Sequence, residues 1–273
     1  EKILNFYHQN TFEFSIKDAQ REHYLVEYQY RVLPCAMPEE DWESYKAYSK
    51  EIVQLQHALE QEDDEKDRLR LQQRIEGRYR DRAKLLKKND QKVQTLQTIF
   101  DEIPPSARVL IYGDDLNHLN ELGKELDRMG KYYFKYTGEL DAQKERPTIL
   151  KEFRQGIRKI LLAVGCLDEG IDIPACDVAV FISSSTSERQ FIQRRGRVLR
   201  IAPGKTTAWI YDYLVYPILP ASTSDEERRM ALSMIDAQYR RINLMVDDAI
   251  NGIREHQKLD QFLSQRKLNP YDF

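Results

Sequence analysis

The chain has 273 residues, 41% of them hydrophobic and 32% charged, with a formal net charge of −3. That content can bury a core in one or two domains, and the slightly acidic balance excludes a generally basic nucleic-acid coat, so any such contact is a local groove. No run of about eighteen apolar residues occurs, which excludes a helical membrane span.

Three cysteines, Cys35, Cys166 and Cys176, form no CxxC pair, which fits a reducing, cytoplasmic setting. His8, His23, His57, His118 and His256 are scattered without metal-ligand spacing, so no metal site is expected. The chain opens at Glu1 with no charged-then-apolar leader and reads as a piece of a longer polypeptide.

Taken in chain order, residues 1–38 hold short apolar and aromatic pieces, Phe12-Glu13-Phe14 and Tyr24-Leu25-Val26 among them. The alternation in Tyr28-Gln29-Tyr30-Arg31-Val32 predicts a strand that Pro34 and Pro38 end. Residues 39–103 change character. Trp42, Tyr45, Tyr48, Ile52, Leu55 and Leu59 fall on one helical stripe, and Leu71, Ile75 and Tyr79 continue at four-residue steps. Acidic residues crowd 60–67 and basic ones 68–92, which suits the dipole of a second helix starting near Asp63. The expectation is an antiparallel helical hairpin insertion, then a third helix through Val93, Leu96 and Phe100.

Past Pro104-Pro105 the rhythm is strand then helix. Strands are predicted at Val109–Tyr112, Tyr132–Tyr136, Lys159–Val164, Val178–Ile182 and Ala208–Tyr211. Helices are predicted at Leu116–Met129, closed by Gly130, and over Thr148–Phe153. This alternation implies an α/β fold with a parallel sheet covered on both faces, and sites in such sheets gather at the carboxyl ends of the strands. Thr137-Gly138, the 165–174 loop and Ser183–Ser185 should cluster there. A helical extension over 219–273 carries apolar stripes at Met230, Met234, Ile235, Ile242, Met245, Val246 and Ile250.

Two motifs carry chemistry. In Val164-Gly165-Cys166-Leu167-Asp168-Glu169-Gly170-Ile171-Asp172-Ile173-Pro174, the glycines permit tight turns. Asp172, between two isoleucines and near a proline, reads either as an acceptor for a ribose hydroxyl or as an ordinary turn aspartate. In Gln193-Arg194-Arg195-Gly196-Arg197-Val198-Leu199-Arg200, four arginines at fixed spacing interleave with apolar residues. Planar, permanently charged forks held this way suit a polyphosphate.

With both motifs in order, the chain resembles the second RecA-like domain of a superfamily 2 helicase or translocase, in the branch of restriction-enzyme motor subunits and excision-repair DNA helicases. The likeness is strongest over about 104–218. Val109–Tyr112 resembles the strand of motif IV, Tyr136-Thr137-Gly138-Glu139 the Thr-Gly turn after it, and Phe153 with Gly156 the segment before the next strand. Leu167 to Pro174 resembles motif V, and Gln193-Arg194-x-Gly196-Arg197-x-x-Arg200 motif VI.

The resemblance implies a composite site for ATP and Mg2+ held mainly by a separate N-terminal motor domain. Arg197 and Arg200 would be inserted toward the γ-phosphate. Gln193, Arg194, Glu169, Gly170 and Asp172 would lie at the nucleotide or domain interface. It also implies a DNA strand near Thr137, Gly138, Val164, Gly165 and Cys166. Relatives often carry Thr or Ser where this chain has Val164-Gly165-Cys166, so backbone amides are the expected contacts there. Arg195 is left to the surface or to nucleic acid, and Ser183–Ser185 to a site or a plain loop.

The phosphate loop GxxxxGK[ST] is missing. Gly204-Lys205-Thr206 has Leu199 where the first glycine belongs and precedes a strand, so it reads as a turn. No DExH or DEAD sequence occurs, and the chain alone is expected to be inactive toward ATP. The readings carried forward are the arginine-finger half of a DNA motor in restriction, repair or phage defence, a silent RecA-like scaffold, and an RNA motor of the same superfamily. Residues 39–102 read either as a solvated structural hairpin or as an arm that docks a companion protein or touches DNA.

Overall fold

A computed structural model describes residues 15–141, 143–164, 176–183 and 188–269. Strands β1 (Glu27–Met37), β2 (Val109–Tyr112), β3 (Phe134–Tyr136), β4 (Ile160–Ala163), β5 (Val178–Val180) and β6 (Thr207–Pro217) form one six-stranded sheet in the order β1-β6-β5-β2-β4-β3. Every pairing in it is parallel. β2, β4 and β5 are buried along their whole length because helices cover both faces.

The helices are α1 (Ile16–Arg21), α2 (Glu39–Gln61), α3 (Glu65–Lys87), α4 (Asp90–Gln94), α5 (Leu96–Glu102), α6 (Leu116–Arg128), α7 (Glu145–Arg154), α8 (Glu188–Val198), α9 (Asp225–Val246) and α10 (Gly252–Ser264). Successive side chains of a strand point to opposite faces, and the core divides accordingly. Leu110 and Tyr112 of β2 join Tyr28, Tyr30, Ile210, Phe191, Met234 and Tyr239 on one face. Val109 and Ile111 join Leu96, Ile99, Leu119, Leu122, Val180 and Tyr213 on the other.

β1 runs through Pro34 rather than ending there. In a parallel strand alternate residues turn both backbone groups to the same side. Tyr28, Tyr30 and Val32 turn theirs away from β6, toward Ile250, Asn251 and Glu255. Pro34 shares their parity, so its missing N–H falls on the side away from the ladder, where an edge strand tolerates proline. β3 also starts later than expected, at Phe134, and leaves Tyr132 91% exposed.

Side-chain amides finish the sheet. Asn251 accepts from Tyr30 N at 2.9 Å and donates to Tyr30 O at 2.8 Å. β5 pairs with β6 only as far as Tyr211, and beyond that point Gln238 accepts from Val215 N and donates to Val215 O, both at 2.9 Å. Both amides stand in for a neighbouring strand and satisfy backbone groups that would otherwise be stranded. α9 and α10 are thereby bonded to the sheet as well as packed on it.

The hairpin forms as its stripes predict. Asp64 caps α3, and Lys84 and Lys87 close it. Arg68 donates to the Leu59 and Glu62 carbonyls at 3.0 and 2.7 Å, which satisfies groups at the end of α2. Arg78 lies over the Tyr48 ring and pairs with Glu51, while Arg82 lies over Tyr45 and Tyr79. These guanidiniums of the basic run are turned onto the hairpin itself. The expected third helix is two short ones that meet at Thr95, whose hydroxyl donates to Lys92 O at the end of α4.

Candidate functional site

The parallel register aligns the loops that the sequence singled out. Tyr136 of β3 and Tyr112 of β2 both pair with Ala163 of β4. The next residues along each strand, Thr137, Gly113 and Val164, therefore emerge side by side at the carboxyl end of the sheet. Ser183 joins the row, since its N–H donates to Tyr112 O at 3.1 Å. Thr137 is buried, and the Gly138 carbonyl accepts from Arg146 at 2.7 Å. Gly165, Cys166, Glu169, Gly170 and Asp172, with Ser184 and Ser185, lie outside the described residues.

The arginine motif occupies the last turns of α8 and the residues after it. Phe191 seats the helix in the core, with its ring 5.2 Å from that of Phe181. Arg194 is buried, donates to Ser183 O at 3.3 Å and lies 5.0 Å from the Tyr112 ring centroid. The helix is thus anchored to the same carboxyl-end row.

Arg195, expected at the surface or on nucleic acid, is instead buried. It donates to Leu244 O at 2.6 Å, to Asp248 at 3.1 Å and to the Tyr28 hydroxyl at 3.4 Å. The correction has a physical cause: α9, the corner after it and β1 surround this side chain and supply acceptors that solvent would otherwise provide. Tyr28, whose own hydroxyl donates to Met245 O, has its pKa pushed up to about 12, mainly by burial. Gln193 and Arg200 are exposed and Arg197 is half-buried.

A layer of buried polar groups lies under the loop row. The Lys92 ammonium donates to Ile182 O at 2.9 Å, and burial lowers its pKa to about 7. His118 Nδ1 accepts from Asp114 N at 3.3 Å, so its proton sits on Nε2, which is buried without a hydrogen-bond partner among the described residues. Burial and then the Lys92 charge hold the His118 pKa down, near 4. Lys87 and Lys88 pair with Asp114 and Asp115 at 2.8 and 2.5 Å. Together these contacts fix the turns after β2 and β5.

Sequence reasoning missed Lys92, His118, and the network in which the fully buried Asp212 accepts from Tyr30 and Arg241. A Lys and a His inside amphipathic helical patterns carry no spacing signal. Asp212 lies in an otherwise apolar and aromatic run, Trp209 to Val215, and that isolation was the available cue. Among the described residues no three His, Cys, Asp or Glu side chains gather to hold a metal ion, and no helix is long and apolar enough to cross a membrane.

Residues 91–202 match the helicase conserved C-terminal domain family. The UvrABC system protein B of Coxiella burnetii is 28% identical over 133 residues, covering 45% of this chain and 20% of that protein. The DNA 3'-5' translocase XPB2 of Sulfurisphaera tokodaii is 41% identical over 56 residues, 20% of this chain and 13% of that one. Dicer-like protein 2-1 of Aspergillus niger is 47% identical over 58 residues, 21% of this chain and 4% of that one. The matched segments thus span a fifth or less of these relatives. The solved C-terminal part of the Fun30 ATPase domain superposes over 79% of this chain and 99% of its own length, with a TM-score of 0.52 at 11% identity.

Proposed function

We propose that this chain, whose residues 91–202 match the helicase conserved C-terminal domain family and whose parallel sheet has the fold of the C-terminal part of the Fun30 ATPase domain, is the arginine-finger half of an ATP-dependent DNA motor of superfamily 2. In this reading 104–218 is the RecA-like unit, joined by the 1–38 strand segment, with 39–103 an insertion and 219–273 an extension. The supporting observation is the docking of α8 on the row where Gly113, Thr137, Val164 and Ser183 emerge, through Arg194 bonded to Ser183 O. One helix therefore couples the arginines to the loops facing nucleic acid.

Arg197 and Arg200 take the finger role, because charge spreading over phosphoryl oxygens in the transition state favours inserted guanidiniums. Gln193, exposed on the same helix, contacts the opposing domain. Arg194 braces the helix from below. Asp172, Glu169 and Gly170 couple the loop after β4 to the nucleotide, and Thr137, Gly138, Val164, Gly165 and Cys166 follow a DNA backbone without reading its sequence.

ATP with Mg2+ supplies the phosphoryl chemistry and is held by another domain. The residues present here fit closing over phosphates rather than cradling them, because guanidinium donors are present and a GxxxxGK[ST] loop is not. DNA is preferred because a relative is named a DNA translocase, and repair, restriction or phage defence are the settings such a motor serves. The second reading is an RNA-directed motor of the same superfamily. ATP turnover by the protein with its ATP-holding domain, measured with single-stranded DNA, duplex DNA and RNA, separates them. Stimulation by DNA is expected. Stimulation by RNA alone selects the second reading, and no turnover with any of them leaves a scaffold.

A further inference from the structure

The Gly204-Lys205-Thr206 turn has no part in the site as described so far, yet its lysine is buried at the end of the arginine helix. Gly204, at a φ of 77°, turns the chain in a left-handed conformation that a side chain would resist, and Lys205 N closes the turn on Ala202 O at 3.0 Å. The Lys205 side chain then runs back under α8. Its ammonium donates to the carbonyl oxygens of Val198 and Arg200, the latter at 3.2 Å.

The Val198 carbonyl is one of the orphan acceptors at the C-terminal, negative end of the helix, where a cation is favoured, and the Arg200 carbonyl lies just beyond it. The nearby acid, Asp177, is already held by Arg108 through two bonds of 2.8 Å. A second tether acts on the same stretch from the other side: Val26 N donates to Leu199 O at 2.8 Å, and Leu25 bridges Arg200 in antiparallel fashion. The three residues that end the motif, Val198, Leu199 and Arg200, are thus each gripped by the backbone, while the Arg200 side chain is exposed.

The geometry points to Lys205 as the positioning residue for Arg200: it fixes the main chain from which that guanidinium reaches the nucleotide. The inference rests on the finger reading given above. Arg197, inside the last helical turn, is held by the helix itself, whereas Arg200 lies beyond it and depends on the clamp. Misplacing a catalytic group by about 1 Å costs on the order of a hundredfold in rate, so loosening this clamp acts on turnover before it acts on binding.

The test is a double-mutant cycle in the protein carrying its ATP-holding domain, with Lys205→Met, Arg200→Ala and the pair. Lys205→Met is expected to lower kcat by roughly tenfold or more, with KM for ATP within about twofold, and to add nothing once Arg200 is alanine. Lys205→Gln, which keeps one donor, recovers part of the loss and serves as the test if the methionine variant does not fold. Wild-type turnover in Arg200→Ala removes the finger reading. An impaired Arg200→Ala beside a Lys205 variant that turns over normally, or that loses rate additively, overturns the positioning role alone.

Discussion

Arg195 and Asp248 meet at 3.1 Å, with the Arg195 side chain only 6% exposed. The pair joins the arginine helix to the corner between α9 and α10. Arg195→Ala strands the Leu244 carbonyl and the Asp248 carboxylate, and is expected to destabilise the chain by about 3 kcal/mol. Asp248→Asn keeps an acceptor and should cost about 1 kcal/mol. Urea midpoints for both variants check the order. Equal, negligible shifts would mean the contact is not made in solution.

Gln238 and Asn251 predict a paired effect at opposite sides of the β1–β6 ladder. Gln238→Ala and Asn251→Ala each remove two bonds to one strand residue and leave a backbone N–H and C=O unmet, a loss of about 2 kcal/mol apiece. The two sites share no partner, so the double variant should lose about the sum. Chemical denaturation measures all three, and hydrogen exchange at Tyr30 and Val215 should quicken only in the matching variant.

His118 predicts a pH dependence. Its folded pKa, near 4, lies below its ordinary value of 6.5. The unfolded chain therefore takes the proton first as pH falls, and stability rises with pH across the window from about 4 to 6.5 and is flat in this term outside it. Relative to wild type, His118→Gln should flatten the urea midpoint between those limits, by on the order of 3 kcal/mol at most. Parallel curves for the two proteins across that window would contradict the burial argument.

Much of this was legible in the chain because local periodicity encodes it. The buried runs of β2, β4 and β5, the apolar stripes of α2 and α9, and the arginine spacing of α8 each reflect geometry set within a dozen residues. What stayed hidden depends on partners far apart in sequence. Pro34 reads as a strand end until β1 is known to be an edge strand with that residue turned outward. Arg195 reads as a surface charge until Leu244 and Asp248 are folded over it. Lys205 reads as a turn residue because the carbonyls it serves belong to backbone, which leaves no trace in residue identity.

The most direct measurement concerns Arg197 and Arg200 themselves: ATP affinity and single-turnover hydrolysis for Arg197→Ala and Arg200→Ala in the protein with its ATP-holding domain. The account predicts ATP binding within a few-fold of wild type and hydrolysis slowed by about a thousandfold, as for loss of an arginine finger. Wild-type hydrolysis in both variants would contradict it.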